Sequence, residues 1–204
     1  MSRKVCHHCG RPENVCICSF IKPIDNQVEI GILQHPSETK QIKGTALIAR
    51  LSLKKVKLWV GESLCDLPGL VDWLNEGQNV YLLYPAIDNQ KETYHSYSTK
   101  SIVNKFQKKE TDQLTKVLVL DGTWRKTFKI MQLNSQLRAL NRIELNPVLV
   151  SQYRVRKQKD EQSLSTVEAI YEVLSQLEGN TEKYQPLLDA FESMQNQQLA
   201  FREG

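Results

Sequence analysis

Asp121 is the residue whose setting most invites chemistry. It follows Val117-Leu118-Val119-Leu120, four apolar residues that read as a strand buried on both faces. Gly122 breaks the run, and from Thr123 the pattern takes on helical period. A carboxylate at a strand tip, with a glycine for a tight turn and a helix starting at once, lies where open α/β sheets bind ligands. Backbone N–H groups at such a helix start can receive a ligand's polar atoms. The carboxylate itself can accept a proton or balance developing charge. Two structural roles fit the same residues. Asp fills helix N-caps well, and Trp124 can join Phe128, Met131 and Leu137 on a core-facing side. The basic step Arg125-Lys126 directly after the turn favours a polar or anionic ligand over simple capping.

A second constellation is Cys6-x2-Cys9-x6-Cys16-x-Cys18. Thiolates are soft ligands, and four complete a tetrahedral zinc shell. His7 and His8 lie inside the loop and could replace a thiolate; a labile redox cluster is the other reading. A closed four-ligand site is structural, and here it would staple a segment with little core of its own. Five cysteines with four at one end, no apolar leader and no apolar run of transmembrane length point to a cytoplasmic chain that uses metal rather than disulfides. Cys65, apart from the rest, is expected as a buried small hydrophobe. A third constellation is Arg154 and Arg156, two apart in the extended stretch Val150 to Lys157. Strand period puts both guanidiniums on one face, where they suit phosphate oxygens or serve as surface charges.

The elements that must hold these groups alternate. Strands are expected at 28–34, 56–60, 80–84, 116–120 and 142–145, and helices over 38–51, within 64–76, from 124, from about 163 and over 181–201. Gly179-Asn180 closes one helix and Pro23 to Gln27 is a linker. The segment 86–115 is polar, with Ile102, Val103 and Phe106 able to seat a helix. This alternation implies an α/β domain with a largely parallel sheet and helices on both faces. The 204 residues suit one such domain, 28–204, with a zinc-binding module at 1–22. A net charge of +4 permits a nucleic-acid partner. No Gly-x-Gly dinucleotide fingerprint, phosphate-binding Gly-x-x-x-x-Gly-Lys loop, His-Glu-x-x-His or Gly-x-Ser-x-Gly occurs.

Asp121-Gly122-Thr123-Trp124 resembles the signature of the DTW-domain proteins, the tRNA-uridine aminocarboxypropyltransferases. The likeness extends to Gln34-His35-Pro36-Ser37-Glu38 with Gly44-Thr45-Ala46, to Leu83-Tyr84-Pro85, and to Tyr153-Arg154-Val155-Arg156 followed by Leu164-Ser165-Thr166-Val167-Glu168-Ala169. It includes the amino-terminal cysteines. The resemblance implies a SPOUT-like fold with a carboxy-terminal knot and S-adenosylmethionine as co-substrate. It implies transfer of a 3-amino-3-carboxypropyl group to N3 of a tRNA uridine, with methylthioadenosine released. By motif position, Asp121 would be catalytic. Leu120, Gly122, Thr123, Trp124, Leu164, Ser165, Thr166 and Glu168 would line the cofactor or uracil pocket. Arg125, Lys126, Arg154, Arg156 and Lys157 would meet the tRNA backbone. Zinc would be structural, on Cys6, Cys9, Cys16 and Cys18. No membrane partner is implied, and oligomeric state is left open. Two other readings fit the same residues: an S-adenosylmethionine-dependent RNA methyltransferase, and a non-enzymatic zinc-containing RNA-binding protein.

Overall fold

The computed structural model describes residues 4–77, 79–85, 95–99, 101–103, 114–145 and 164–203. Among these, β1 (Glu29–Gln34), β2 (Val56–Val60), β3 (Val80–Leu83), β4 (Ser96–Ser98), β5 (Lys116–Asp121) and β6 (Asn141–Glu144) make one sheet in the order β2-β1-β5-β3-β6-β4. Every pairing is parallel. The helices are α1 (Ala46–Ser52), α2 (Pro68–Asn75), α3 (Trp124–Leu133), the single turn α4 (Ser135–Arg138), α5 (Thr166–Glu178) and α6 (Thr181–Glu203). The expected α/β architecture is present.

β5 is flanked by β1 and β3, and all six of its residues are buried. Strand alternation sends Val117 and Val119 to the same core as Ile30, Ile32 and residues of α1, α5 and α6. Leu118 and Leu120 face the other way, among Leu70, Trp73, Ile130 and Met131 of α2 and α3. Helices therefore cover both faces, and each fully buried aliphatic side chain contributes about 1.5–3 kcal/mol. Gly31 is required by packing. A Cβ there would lie 2.6 Å from the Trp73 ring, so only glycine lets the indole lie against β1.

Several expectations change. The helix expected over 38–51 begins only at Ala46. Pro36–Glu38 is one 3-10 turn, and Gly44 N–H bonds back to the Gln41 carbonyl, so local turns take the backbone groups a longer helix would need. β4 was not expected, because its Ser-Tyr-Ser sequence is an exposed edge without apolar alternation. Of the expected core-facing side, Met131 and Leu137 are buried but Trp124 and Phe128 are 59% and 50% exposed, since α3 turns Thr127, Ile130 and Met131 to the sheet. Cys65 is exposed rather than buried, lying in the 3-10 turn before α2. Gly179 closes α5 as expected, at φ +64°.

The cysteine segment sits on the main core. Ile17 and Cys9 are buried in the same cluster as α5 and α6. Gln197 of α6 donates to the Cys16 carbonyl at 3.2 Å, and Arg11 Nη2 donates to the Gly44 carbonyl at 2.9 Å. The expected knot turns on the path between β6 and α5; residues 146–163 of that path, with Arg154, Arg156 and Lys157, lie outside the described residues. Among the described residues no helix is long and apolar enough to cross a membrane.

Candidate active site and metal centre

Parallel pairing brings the carboxyl ends of β1 and β5 level, with Gln34 opposite Asp121. Asp121 is 7% exposed. Gln34 Nε2 donates to its Oδ2 at 2.7 Å, and Thr166 Oγ1, on the first residue of α5, donates to its Oδ1 at 2.5 Å. These two hydrogen bonds, one to each oxygen, fix the orientation of the carboxyl group. His35 N–H donates to the Asp121 carbonyl at 3.0 Å and carries the β1–β5 ladder one step further. Asp121 does not cap α3. Thr123 is the N-cap residue, and no side chain closes that cap.

The start of α5 is built to aim Thr166. Ser165 is its N-cap in a capping box with Glu168, whose Oε2 accepts from Ser165 N–H at 2.7 Å. Val167 N–H donates to Thr45 Oγ1 at 3.3 Å. Of the residues expected on this second loop, Thr166 reaches Asp121. Ser165 and Glu168 hold each other, with Glu168 fully buried, and Leu164 is half-buried. Leu120 faces the α2–α3 core.

Gly122 does not use a left-handed backbone; its role is spatial. A Cβ there would stand 3.2 Å from Lys126 Cβ and 3.6 Å from His35 Cβ. Lys126, expected on RNA, pairs with Glu38 at 2.6 Å. His35 Nδ1 accepts from Ser37 N–H, which leaves the proton on Nε2, and Nε2 meets Glu62 at 2.5 Å. Lys129 holds the other Glu62 oxygen. That ammonium, helped by His35 and opposed by partial burial, keeps the Glu62 carboxyl below its ordinary range. Trp124 meets Tyr84, just past β3, edge-to-face at 6.0 Å. Arg125 is exposed on α3.

In the amino-terminal segment, the sulfurs of Cys6, Cys9, Cys16 and Cys18 all lie within 4.8 Å of one another. Cys6–Cys18 and Cys9–Cys16 are each 3.7 Å apart. Four thiolates ~2.3 Å from a tetrahedral zinc stand about 3.8 Å apart, so the spacing fits that ion. His8 Nδ1 approaches Cys18 Sγ at 3.3 Å as a hydrogen-bonding neighbour of the four sulfurs. Backbone N–H groups of Cys9 and His8 hold the Cys6 thiol down at about 6. Burial and the neighbouring thiols push Cys18 up to about 12. A divalent cation reconciles these opposed tendencies, because it deprotonates every thiol it binds.

Gln34 and Thr45 were not singled out as site residues by sequence reasoning. The usable signal was positional: Gln34 ends a strand beside His35-Pro36, and neighbouring parallel strands end at one level.

A model of the DTW domain matches residues 3–199. The chain is 27% identical over 203 residues to tRNA-uridine aminocarboxypropyltransferase 2 of Macaca fascicularis, which covers 97% of this chain and 64% of that protein. It is 30% identical over 209 residues to the protein of the same name in Drosophila melanogaster, covering 97% and 76%. It is 27% identical over 210 residues to tRNA-uridine aminocarboxypropyltransferase 1 of Homo sapiens, covering 83% and 66%. The chain thus spans just under two thirds of the macaque protein's length. No solved structure matches.

Proposed function

The chain belongs to the DTW-domain family, and from that premise we propose that it modifies tRNA, moving the 3-amino-3-carboxypropyl group of S-adenosylmethionine to N3 of a uridine. The observation that carries the reading is the Asp121 carboxylate, held by Gln34 and Thr166 at the carboxyl end of a central strand, inside the family's signature. The names of the relatives supply the reaction class.

The sulfonium of S-adenosylmethionine makes its three attached carbons electrophilic, so the choice of carbon is one of orientation. In the transfer an N3–C bond forms, the C–S bond breaks with its electron pair going to sulfur, and methylthioadenosine leaves. N3 must also lose its proton. Asp121 accepts a hydrogen bond from N3–H and balances the positive charge that builds there. The N3 proton passes on to water. Thr166 and Gln34 fix the carboxylate's plane. By motif position, Leu120, Gly122, Thr123, Trp124, Leu164, Ser165 and Glu168 are assigned to the space for cofactor or uracil, with the Leu120 side chain packed in the α2–α3 core and Glu168 engaged in the capping box acting only as support. Arg125, Lys126, Arg154, Arg156 and Lys157 contact tRNA phosphates, which set its register.

The same reading makes the sheet SPOUT-like with a carboxy-terminal knot. It assigns 1–22 to a zinc-binding module, 28–204 to the catalytic domain, and the protein to the cytoplasm. Zinc on the four cysteines is structural and enters no step. The decisive test mixes protein, S-adenosylmethionine and unmodified tRNA and weighs both products. Methylthioadenosine with an aminocarboxypropyl-uridine supports transfer. S-adenosylhomocysteine would mean methylation, and no cofactor affinity would mean an RNA-binding module.

A further inference from the structure

Helix α3 presents a face with no counterpart elsewhere on the described surface. Trp124 and Phe128 are exposed and lie one turn apart, so they share a side. Arg125 and Lys129, also exposed and one turn apart, run beside them. The helix has no Asp or Glu in its ten residues, and its first turn carries Arg125 and Lys126, where acids are the stabilising choice. Lys129 pairs with Glu62 yet keeps 58% of its side chain exposed. Positive charge and large aromatic rings are thus shown to solvent at a cost to the helix.

Rings interleaved with cations match the chemistry of single-stranded nucleic acid, whose bases stack on aromatics while phosphates meet Arg and Lys. A lipid surface calls for a broad apolar face, and here two rings lie among charges.

We infer that the Trp124–Phe128 face stacks the unpaired nucleotides that flank the reacting uridine. This rests on the transferase reading. N3 lies on the pairing edge of uracil, so it can react only in a uridine that is unpaired or drawn out of its stack. Its neighbours then present bare faces. The α3 face begins three residues after Asp121, at the lip of the site, and Tyr84 braces the first ring. Stacking there offsets the stacking lost within the RNA.

The test titrates zinc-loaded, full-length protein with a uridine-containing single-stranded RNA of about ten nucleotides, the same RNA as a duplex, and tRNA. Expected are quenching of tryptophan fluorescence by the single strand and far weaker binding of the duplex. Phe128→Ala should weaken single-strand affinity about tenfold, Phe128→Tyr should restore it, and both should keep the parental melting point and S-adenosylmethionine binding. Parental RNA affinity in Phe128→Ala overturns the inference. So does a lower melting point for that variant, which would mean the chain itself covers the ring. A changed sedimentation of RNA-free protein would make a second copy the occupant and also overturns it. If the parent makes no methylthioadenosine but Phe128→Ala loses RNA affinity, the transferase reading fails and the stacking face stands. If transfer is seen and affinity is kept, the stacking face alone fails.

Discussion

Gln34 Nε2 and Asp121 Oδ2 meet at 2.7 Å across the β1–β5 pair, although the two residues are 87 positions apart in the chain. The contact fixes a buried carboxylate from below while Thr166 fixes it from the side. Asp121 is therefore oriented by tertiary structure, not by the helix it precedes.

Asp121→Asn tests the chemistry of that carboxylate. An amide at 121 can still accept from Thr166, and Gln34 can turn its own amide to match. Expected are a melting point within a few degrees of the parent, retained S-adenosylmethionine and tRNA binding, and methylthioadenosine formation reduced by roughly 10²-fold or more. Near-parental turnover, read by product mass, would show that the carboxylate does no work in transfer.

Gln34→Glu places a second carboxyl against Asp121 in a buried site. Burial and the like charge raise the folded-state pKa of the added group above its unfolded value. Its compatibility with the fold is then full below about pH 4.3 and is lost as pH rises through the raised value. The gap in melting point between parent and variant should be small in mild acid and widen toward pH 8, where the cost is about 3 kcal/mol. A gap independent of pH would remove the contact from the account.

Metal content should be about one zinc per chain, from the four-thiolate rule. Because Cys9 and Ile17 lie in the core shared with α5 and α6, stripping the ion with a chelator should lower the single thermal transition by roughly 10 °C. An unchanged main transition, with only the amino-terminal segment opened to protease, would mean the two parts are thermally independent.

Glu178 supplies an acid-sensitive tie. Its Oε1 accepts from the backbone N–H groups of Gln27 and Val28 at 2.7 and 3.0 Å, and Lys183 sits 2.7 Å from Oε2. Burial alone would push the carboxyl up, but Lys183, the Tyr184 hydroxyl and the two N–H groups outweigh it and hold the group below its ordinary range. A depressed folded value contributes stability above the unfolded pKa of about 4.3, lost as pH falls through the folded one. Glu178→Gln should cost roughly 1–3 kcal/mol at pH 7 in denaturant titrations, and the difference should close in acid.

The parallel sheet was legible because Val117–Leu120 and Val80–Leu83 are apolar runs bounded by breakers, which only a doubly covered strand explains. β4 was not, since Ser96 and Ser98 carry no period that distinguishes an edge strand from a loop. α3 misled in a useful way. Of its expected core side only Met131 reached the core, joined by Ile130, while Trp124 and Phe128 face out, because the turn after Asp121 sets the helix's rotation and no local pattern encodes that. The cysteine spacing announced a four-sulfur cluster directly. Gln34 was visible as the end of a strand, but its bond to Asp121 was not, for that depends on which strands become neighbours across 87 residues.

The bond from Gln197 to the Cys16 carbonyl spans 181 residues, and that has a consequence for the order of assembly on the ribosome. The four sulfurs all lie within residues 6–18 and can gather around an ion soon after they leave the exit tunnel. The helix residue they dock on is made 181 residues later. At synthesis rates of about 5–20 residues per second, the cysteine turn waits roughly ten to forty seconds with Ile17 and Cys9 bare. During that interval the turn lacks the core that later covers it, and a metal on the four sulfurs would then be most open to loss and the bare residues to capture by a chaperone.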